Sequence, residues 1–386
     1  MLDSKVQNIK DHQRHIQLSI SGLSNEQAYN LCHKLKGCYQ IETIVIDVSD
    51  CKLTKQSLSF LSNGLEGHKK LQMLKLELSN TILDSQDWVS FGRAISSYST
   101  IKNLELCFMS CNLDRDALKN IFNISSPSDN IYLFNQAKEV TLDFQNNEIR
   151  SDGSIFVQQI FESCKEAELI NIYLWNNQLV DIGAQRIGRG IGMLSSKLKI
   201  LNINLSNNSI SKEGCQLFFQ AIVLAKLLED LTIDISDNKI LNKGCMSIGE
   251  SLSQLLMLNS IFLNLSQTII DEGGFIYLIQ QLRSLIYLSS LSIDVQKNSG
   301  ITKQSLQDSF EIMKKEYECI HTVTIQADGF CLEEQVNSYY LQNESIAQKE
   351  VNELEKYAEK KILKEKQYLK QFQQFQQQQS KQLKQP

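Results

Sequence analysis

Ten cysteines and five histidines are the side chains of this 386-residue sequence best suited to nucleophilic or metal chemistry, and their spacing argues against both. The tightest cluster is Cys32, His33 and Cys38, with Cys107 and Cys111 as a looser pair; neither is the paired C-x-x-C of a structural zinc site. Cys51, Cys111, Cys215 and Cys245 instead fall at recurring offsets of a periodic pattern, which marks them as reduced small hydrophobes rather than disulfide partners. No phosphate-cradling G-x-x-x-x-G-K-[ST], nucleophile elbow, H-E-x-x-H or kinase signature occurs. The run Gly188, Gly190, Gly192 mimics a phosphate loop but lies where the periodicity places a helix, so it is read as close helix packing. The sequence therefore predicts no catalytic residue, no metal and no cofactor: the chain is expected not to be an enzyme.

Binding chemistry is another matter. One periodic column reads Ser19, Asp47, Glu77, Cys107, Asp143, Tyr173, Asn204, Asp234, Asn264, Asp294, Thr324, acidic at five of eleven places and basic at none. The next reads Ser21, Ser49, Ser79, Met109, Gln145, Trp175, Ser206, Ser236, Ser266, Gln296, Gln326, small and polar except at Met109 and Trp175. Interface energy concentrates in a few aromatic anchors. Tyr173, Trp175 and Phe262 are thus candidate anchors, with Asp47, Glu77, Asp143, Asp234 and Asp294 as the acids around them. Such a face suits a basic protein surface or peptide and repels the phosphates of nucleic acid.

These columns depend on elements that repeat. Triplets of alternating aliphatic residues end at Ile20, Val48, Leu78, Phe108, Phe144, Leu174, Leu205, Ile235, Leu265, Val295 and Ile325, with gaps of 28, 30, 30, 36, 30, 31, 30, 30, 30 and 30 residues. Period-two alternation marks a strand with one buried face. In the clearest unit Leu205 is followed by Asn208, Ile210, Gly214, Phe218 and Ile222, a turn and then a helix with an apolar stripe. The same offsets recur at Asn147, Asn177 and Asn238. A unit that cannot bury its own apolar face stacks on its neighbours, which makes a solenoid. Parallel strands should line the inside and helices the outside.

The pattern L-x-L-x-L-x-x-N-x-I-x-x-x-G-x-x-x-L resembles leucine-rich repeats of the ribonuclease-inhibitor type over residues 16–326. That resemblance implies an α/β horseshoe of about eleven parallel inner strands with outer helices. The asparagine position holds Cys51, Thr81, Cys111 and Thr268 in four units, and a slipped Asn298 in another. The early units carry Ser57, Asp87 and Ala117 where the later ones have glycine.

Residues 1–15 are expected to form an N-terminal cap and 327–345 a C-terminal one. The 36-residue gap, around Asn123–Asn130, reads as a surface insertion. Residues 346–370 read as a basic amphipathic helix able to pair with a helical partner as a coiled coil, and 371–386 as a glutamine-rich tail. Residues 346–386 hold nine lysines against five glutamates, net +4, so the preceding 345 residues carry −9 of the chain's −5. The opening residues hold no apolar run, and no membrane span is expected. Three function classes fit: a non-catalytic scaffold for a basic protein, a fixed subunit of a ciliary or cytoskeletal assembly, and a small-GTPase regulator resembling the Ran GTPase-activating proteins. A cytoplasmic address is expected, the Gln/Asn/Lys/Ile-rich vocabulary being ciliate-like.

Overall fold

The computed structural model describes residues 9–10, 12–124, 134–194, 196–317, 320–328 and 330–335. The tail segments 346–370 and 371–386, and most of the insertion and terminal caps, lie outside the described residues.

Eleven strands follow one another in one sheet in chain order: β1 (His15–Ser19), β2 (Thr43–Asp47), β3 (Met73–Glu77), β4 (Asn103–Cys107), β5 (Glu139–Asp143), β6 (Leu169–Tyr173), β7 (Ile200–Asn204), β8 (Asp230–Asp234), β9 (Ser260–Asn264), β10 (Ser290–Asp294) and β11 (Thr322–Ala327). Each pairs parallel with the next. A twelfth, β12 (Phe330–Gln335), turns back antiparallel on β11 and covers the edge that a parallel array would leave bare. Helices fill the gaps: α1 (Asn25–Gly37), α2 (Lys55–Leu65), α3 (Val89–Ser96) preceded by a 3₁₀ turn at Ser85–Trp88, α4 (Arg115–Ile121), α5 (Arg150–Ser163), α6 (Val180–Gly192), α7 (Lys212–Ile222), α8 (Leu241–Leu252), α9 (Glu272–Leu282) and α10 (Lys303–Glu316).

One strand face carries the aliphatic positions, which are buried beneath the helices in a single continuous core from Ile9 to Ala327. Strands sit about 4.8 Å apart whereas packed helices need about 8–10 Å, so each unit is a wedge and the sheet takes the inner, concave side. The early units replace the helix-start glycine by other devices. In α2, for example, Ser57 sits at the third helical position and exchanges hydrogen bonds with the N-cap Thr54. Glycine is needed where helix starts touch: a Cβ on Gly214 would lie 2.2 Å from Asp181 Oδ1 of the preceding unit.

The asparagine position joins the units. Asn208 is buried; its side-chain amide donates to the carbonyls of Leu174, Leu205 and Ser206, and its Oδ1 accepts the amides of Asn177 and Leu179. Asn238 repeats the pattern on Leu205, Ile235, Ser236, Asn208 and Ile210. Asn298 stands in the same register, donating to Leu265 and Val295 and accepting from Thr268 and Ile270, so it is not slipped. Cys111 performs part of the role with its thiol donating to Leu78 O. Thr81, at the same offset, leaves its buried hydroxyl without a partner.

Candidate protein-binding face

Strand side chains that do not enter the core line the concave face. The central column runs Ser19, Asp47, Glu77, Cys107, Asp143, Tyr173, Asn204, Asp234, Asn264 and Asp294, as the sequence predicts, but ends on Gln326 rather than Thr324. Ile325 pairs with Ile293, so the equivalent of Val295 is Ala327, two residues later than the periodicity suggests. A slip of two keeps every side chain on its own face, which is why the alternation pattern is blind to it.

The acids of this column share a local role. Asp47 accepts the amide of Ser49, Asp143 that of Gln145, Asp234 that of Ser236 and Asp294 that of Gln296, each through Oδ1 at 2.9–3.0 Å. This is the Asx turn by which a short side chain caps the backbone leaving a strand. Asn204 and Asn264 do the same for Ser206 and Ser266. Ser206 and Ser236 also turn their hydroxyls onto the same oxygen at 2.6 Å, and both are buried, although the sequence pattern presents Ser206 as an exposed position. The turn needs an oxygen, not a charge. Partial burial raises the carboxyl of Asp143, and raises that of Asp294 with Asp234 and Asp328 nearby adding to the effect.

Glu77 stands apart from the other acids. Lys75, one column over, places its ammonium 2.6 Å from Glu105 and 3.1 Å from Glu77, and the two glutamates hold it well in the charged form. Cys107 beside them is buried, and desolvation followed by its hydrogen bond to Glu77 pushes the thiol far above its usual range. Glu77, Glu105 and Cys107 bring their ligand atoms within 4.8 Å of one another, and the Lys75 ammonium pairs with both carboxylates. The sequence reading missed Lys75, which shares a third outward column with Glu105 and Phe262, because it took only the aromatic from that column. Burial likewise pushes the thiols of Cys111, Cys164 and Cys245 up to about 12, so none of the three is a nucleophile at neutral pH.

Tyr173 and Trp175 project from β6 and the residue pair beyond it, next to Asp143 on β5 and Asn204 on β7. Trp175 is 38% exposed, and neither its indole N–H nor the Tyr173 hydroxyl has a hydrogen-bond partner among the described residues. The contrast is with the buried Tyr98 and Tyr317, whose hydroxyls donate to the carbonyls of Leu65 and Ile279. Burial raises the Tyr173 hydroxyl, and Asp143 adds to the shift. Phe262, 40% exposed, lies three strands away between Thr232 and Ser292. The floor between these aromatics is Asn204, Ser206, Asp234, Ser236, Asn264 and Ser266, all small.

The unit that carries Tyr173 and Trp175 has a second apolar surface where its chain turns into α6. Val180 and Ile182 are 38% and 53% exposed there. The signal was in the sequence: the other glycine-bearing units place Asp152, Glu213, Lys243 or Gly273 where this one has Ile182. Gly188, Gly190 and Gly192 lie within α6, and a Cβ on Gly192 would come 2.4 Å from Ala221 O, so this run serves helix packing.

No family model matches the chain, and no curated protein does. Solved structures it is similar to include Rad7 in its yeast complex with Elc1, at 12% identity over 83% of this chain and 78% of that one, with a TM-score of 0.40. Internalin C2 of Listeria monocytogenes is similar at 14% identity over 76% and 84%, TM-score 0.35. The actin-binding site 2 of leiomodin-1 matches at 12% over 48% and 96%, TM-score 0.30. Likenesses this distant say nothing of a partner.

Proposed function

We propose that the chain is a non-catalytic interaction scaffold of the leucine-rich-repeat kind, its units of ribonuclease-inhibitor type, which docks a basic protein segment on its concave face. The observation that carries this is the pair of half-buried Tyr173 and exposed Trp175, whose polar tips have no partner among the described residues, on a floor of small residues beside the partly desolvated Asp143. A cation from the partner relieves the desolvated carboxylate while the aromatic faces supply apolar area and a cation–π surface. Asp234, Asp294 and Phe262 extend the site towards the C-terminal units, and Asp47 towards the N-terminal ones. Glu77 contributes least, since Lys75 already neutralises it.

Free, largely buried cysteines suit a reducing compartment, which supports a cytoplasmic address. No helix among the described residues is long and apolar enough to cross a membrane. The assembly-subunit and GTPase-regulator readings draw no residue from this geometry.

The test is isothermal titration of variants against the purified partner. Trp175→Ala should weaken binding by about 2 kcal/mol or more, as loss of a central aromatic anchor does. Unchanged affinity removes the concave aromatic site from consideration.

A further inference from the structure

We infer that the chain's own basic C-terminal segment, residues 346–386, occupies the Tyr173–Trp175 region of the concave face when no partner is bound, so that a partner must displace it. The inference rests on the reading of this face as a docking surface for cations and adds its regulation.

Three observations converge on this occupant. The unit presents two chemistries: the carboxylate of Asp143 beside it, with Asp234 farther along the floor, and the apolar side chains of half-buried Tyr173 and exposed Trp175, Val180 and Ile182. The segment has both counterparts. Its nine lysines against five glutamates give +4, opposite in sign to the −9 of the preceding residues, and Ala347, Val351, Leu354, Ala358, Ile362, Leu369 and Phe372 recur at spacings that share one face of a helix.

Reach is the third. The chain leaves β12 at Gln335, opposite Thr322 at the start of β11, six strands from β6. At about 4.8 Å per strand that is about 29 Å along the sheet. Gln335 is level with Leu169, four residues or about 13 Å short of Tyr173, so the straight distance is about 32 Å, and residues 336–345 span up to about 33 Å when extended, enough to bring residue 346 there. Tethering also raises the segment's local concentration far above that of a free competitor.

The test uses the full chain. Carbodiimide condenses a lysine amine with a carboxylate, losing water and forming an amide only where the two touch. Mixing ¹⁴N- and ¹⁵N-labelled protein separates links within one chain from links between chains. The expected result is intrachain links from lysines of 346–386 to Asp143 and Asp234. In parallel, acrylamide quenching reads Trp175, because the second of the two tryptophans, Trp88, is fully buried. Reversing Lys360, Lys361, Lys364 and Lys366 to glutamate should abolish those links and roughly double the quenching constant, as should high salt. Links only between chains, links confined to Asp294 and Asp328 beside the tail's origin, or quenching unaffected by the reversal would each overturn the inference. A partner whose affinity ignores Trp175→Ala overturns the docking reading instead, and leaves any intrachain links standing.

Discussion

Aspartate and asparagine are interchangeable as caps of the turn after each strand, and differ in what they present to solvent. Asn204 and Asn264 accept the same amide two residues on that Asp143 and Asp294 accept, so charge at the latter positions is not a requirement of the fold. It is also disfavoured there: burial raises both carboxyls, which means the native state binds their protons more tightly than the unfolded chain. Above the native-state pKa that preference counts against folding, and below the unfolded value it does not. Once discounted for solvent screening, Asp143→Asn should stabilise the protein by no more than about 0.5 kcal/mol at pH 7 and Asp294→Asn by less, a gain that disappears in acid, while both weaken binding of the basic partner. Urea titrations at pH 7 and pH 3.5 read this, and a destabilised variant would mean the turns need the carboxylate. His68 offers the opposite dependence. Its buried ring, with Nε2 2.9 Å from Gly64 O, has a lowered pKa through desolvation, so the native state prefers it neutral. Stability should fall as the pH drops below about 6.5, and His68→Gln should flatten that slope.

Within one strand–turn–helix unit, sequence pattern and structure part company at identifiable places. The strand and helix positions were legible because burial imposes periods of 2 and 3.6 on apolar side chains, and Leu205, fully buried, is the clearest case. Leu205→Ala should cost about 2–5 kcal/mol for the cavity it leaves. What alternation does not encode is hydrogen bonding beyond the strand end. Ser206 looks like an outward residue by parity, yet its hydroxyl is folded back on Asn204, so Ser206→Ala should cost about 1 kcal/mol, measurable in the same denaturation series. Nor does it encode strain. Val180 has φ 48°, a left-handed conformation that β-branched residues avoid, and the equivalent Arg150 and Leu241 share it without the branched Cβ. Asparagine tolerates that region, so Val180→Asn should stabilise the protein by about 1 kcal/mol. The unit that keeps this strained, exposed valine is the one that carries Tyr173 and Trp175, which fits a surface retained for contact rather than for folding.

Across the whole molecule, stacking similar units makes the sheet register collective, while the large aromatic side chains of the concave face concentrate in a few members of the array. Repetition was therefore readable from spacing, and the site was not: Tyr173 and Trp175 stood out by residue type, but Lys75 and the Val180–Ile182 edge emerge only when neighbouring units are laid side by side. Charge is the property that belongs to the entire body. The residues before the C-terminal segment carry −9, and on the concave face the sole cation among the strand side chains facing outward from β2 to β10 is Lys75, already held by Glu77 and Glu105. A field of one sign over a curved face steers an oppositely charged partner into encounter and contributes little once the complex has desolvated its contacts. Raising ionic strength should consequently slow association of a basic partner by about tenfold between 0.01 M and 0.5 M salt, as the screening length shrinks from about 30 Å to about 4 Å, with dissociation nearly unchanged. Trp175 provides the signal for stopped-flow measurement, since Trp88 is sealed in the core. Neutralising Asp143 and Asp234 to asparagine, which keeps the oxygen that caps each turn, should flatten the salt dependence of the association rate without affecting the fold. An association rate indifferent to salt, with the effect appearing in dissociation, would mean that the carboxylates clamp the partner directly and that the body's net charge does not guide it.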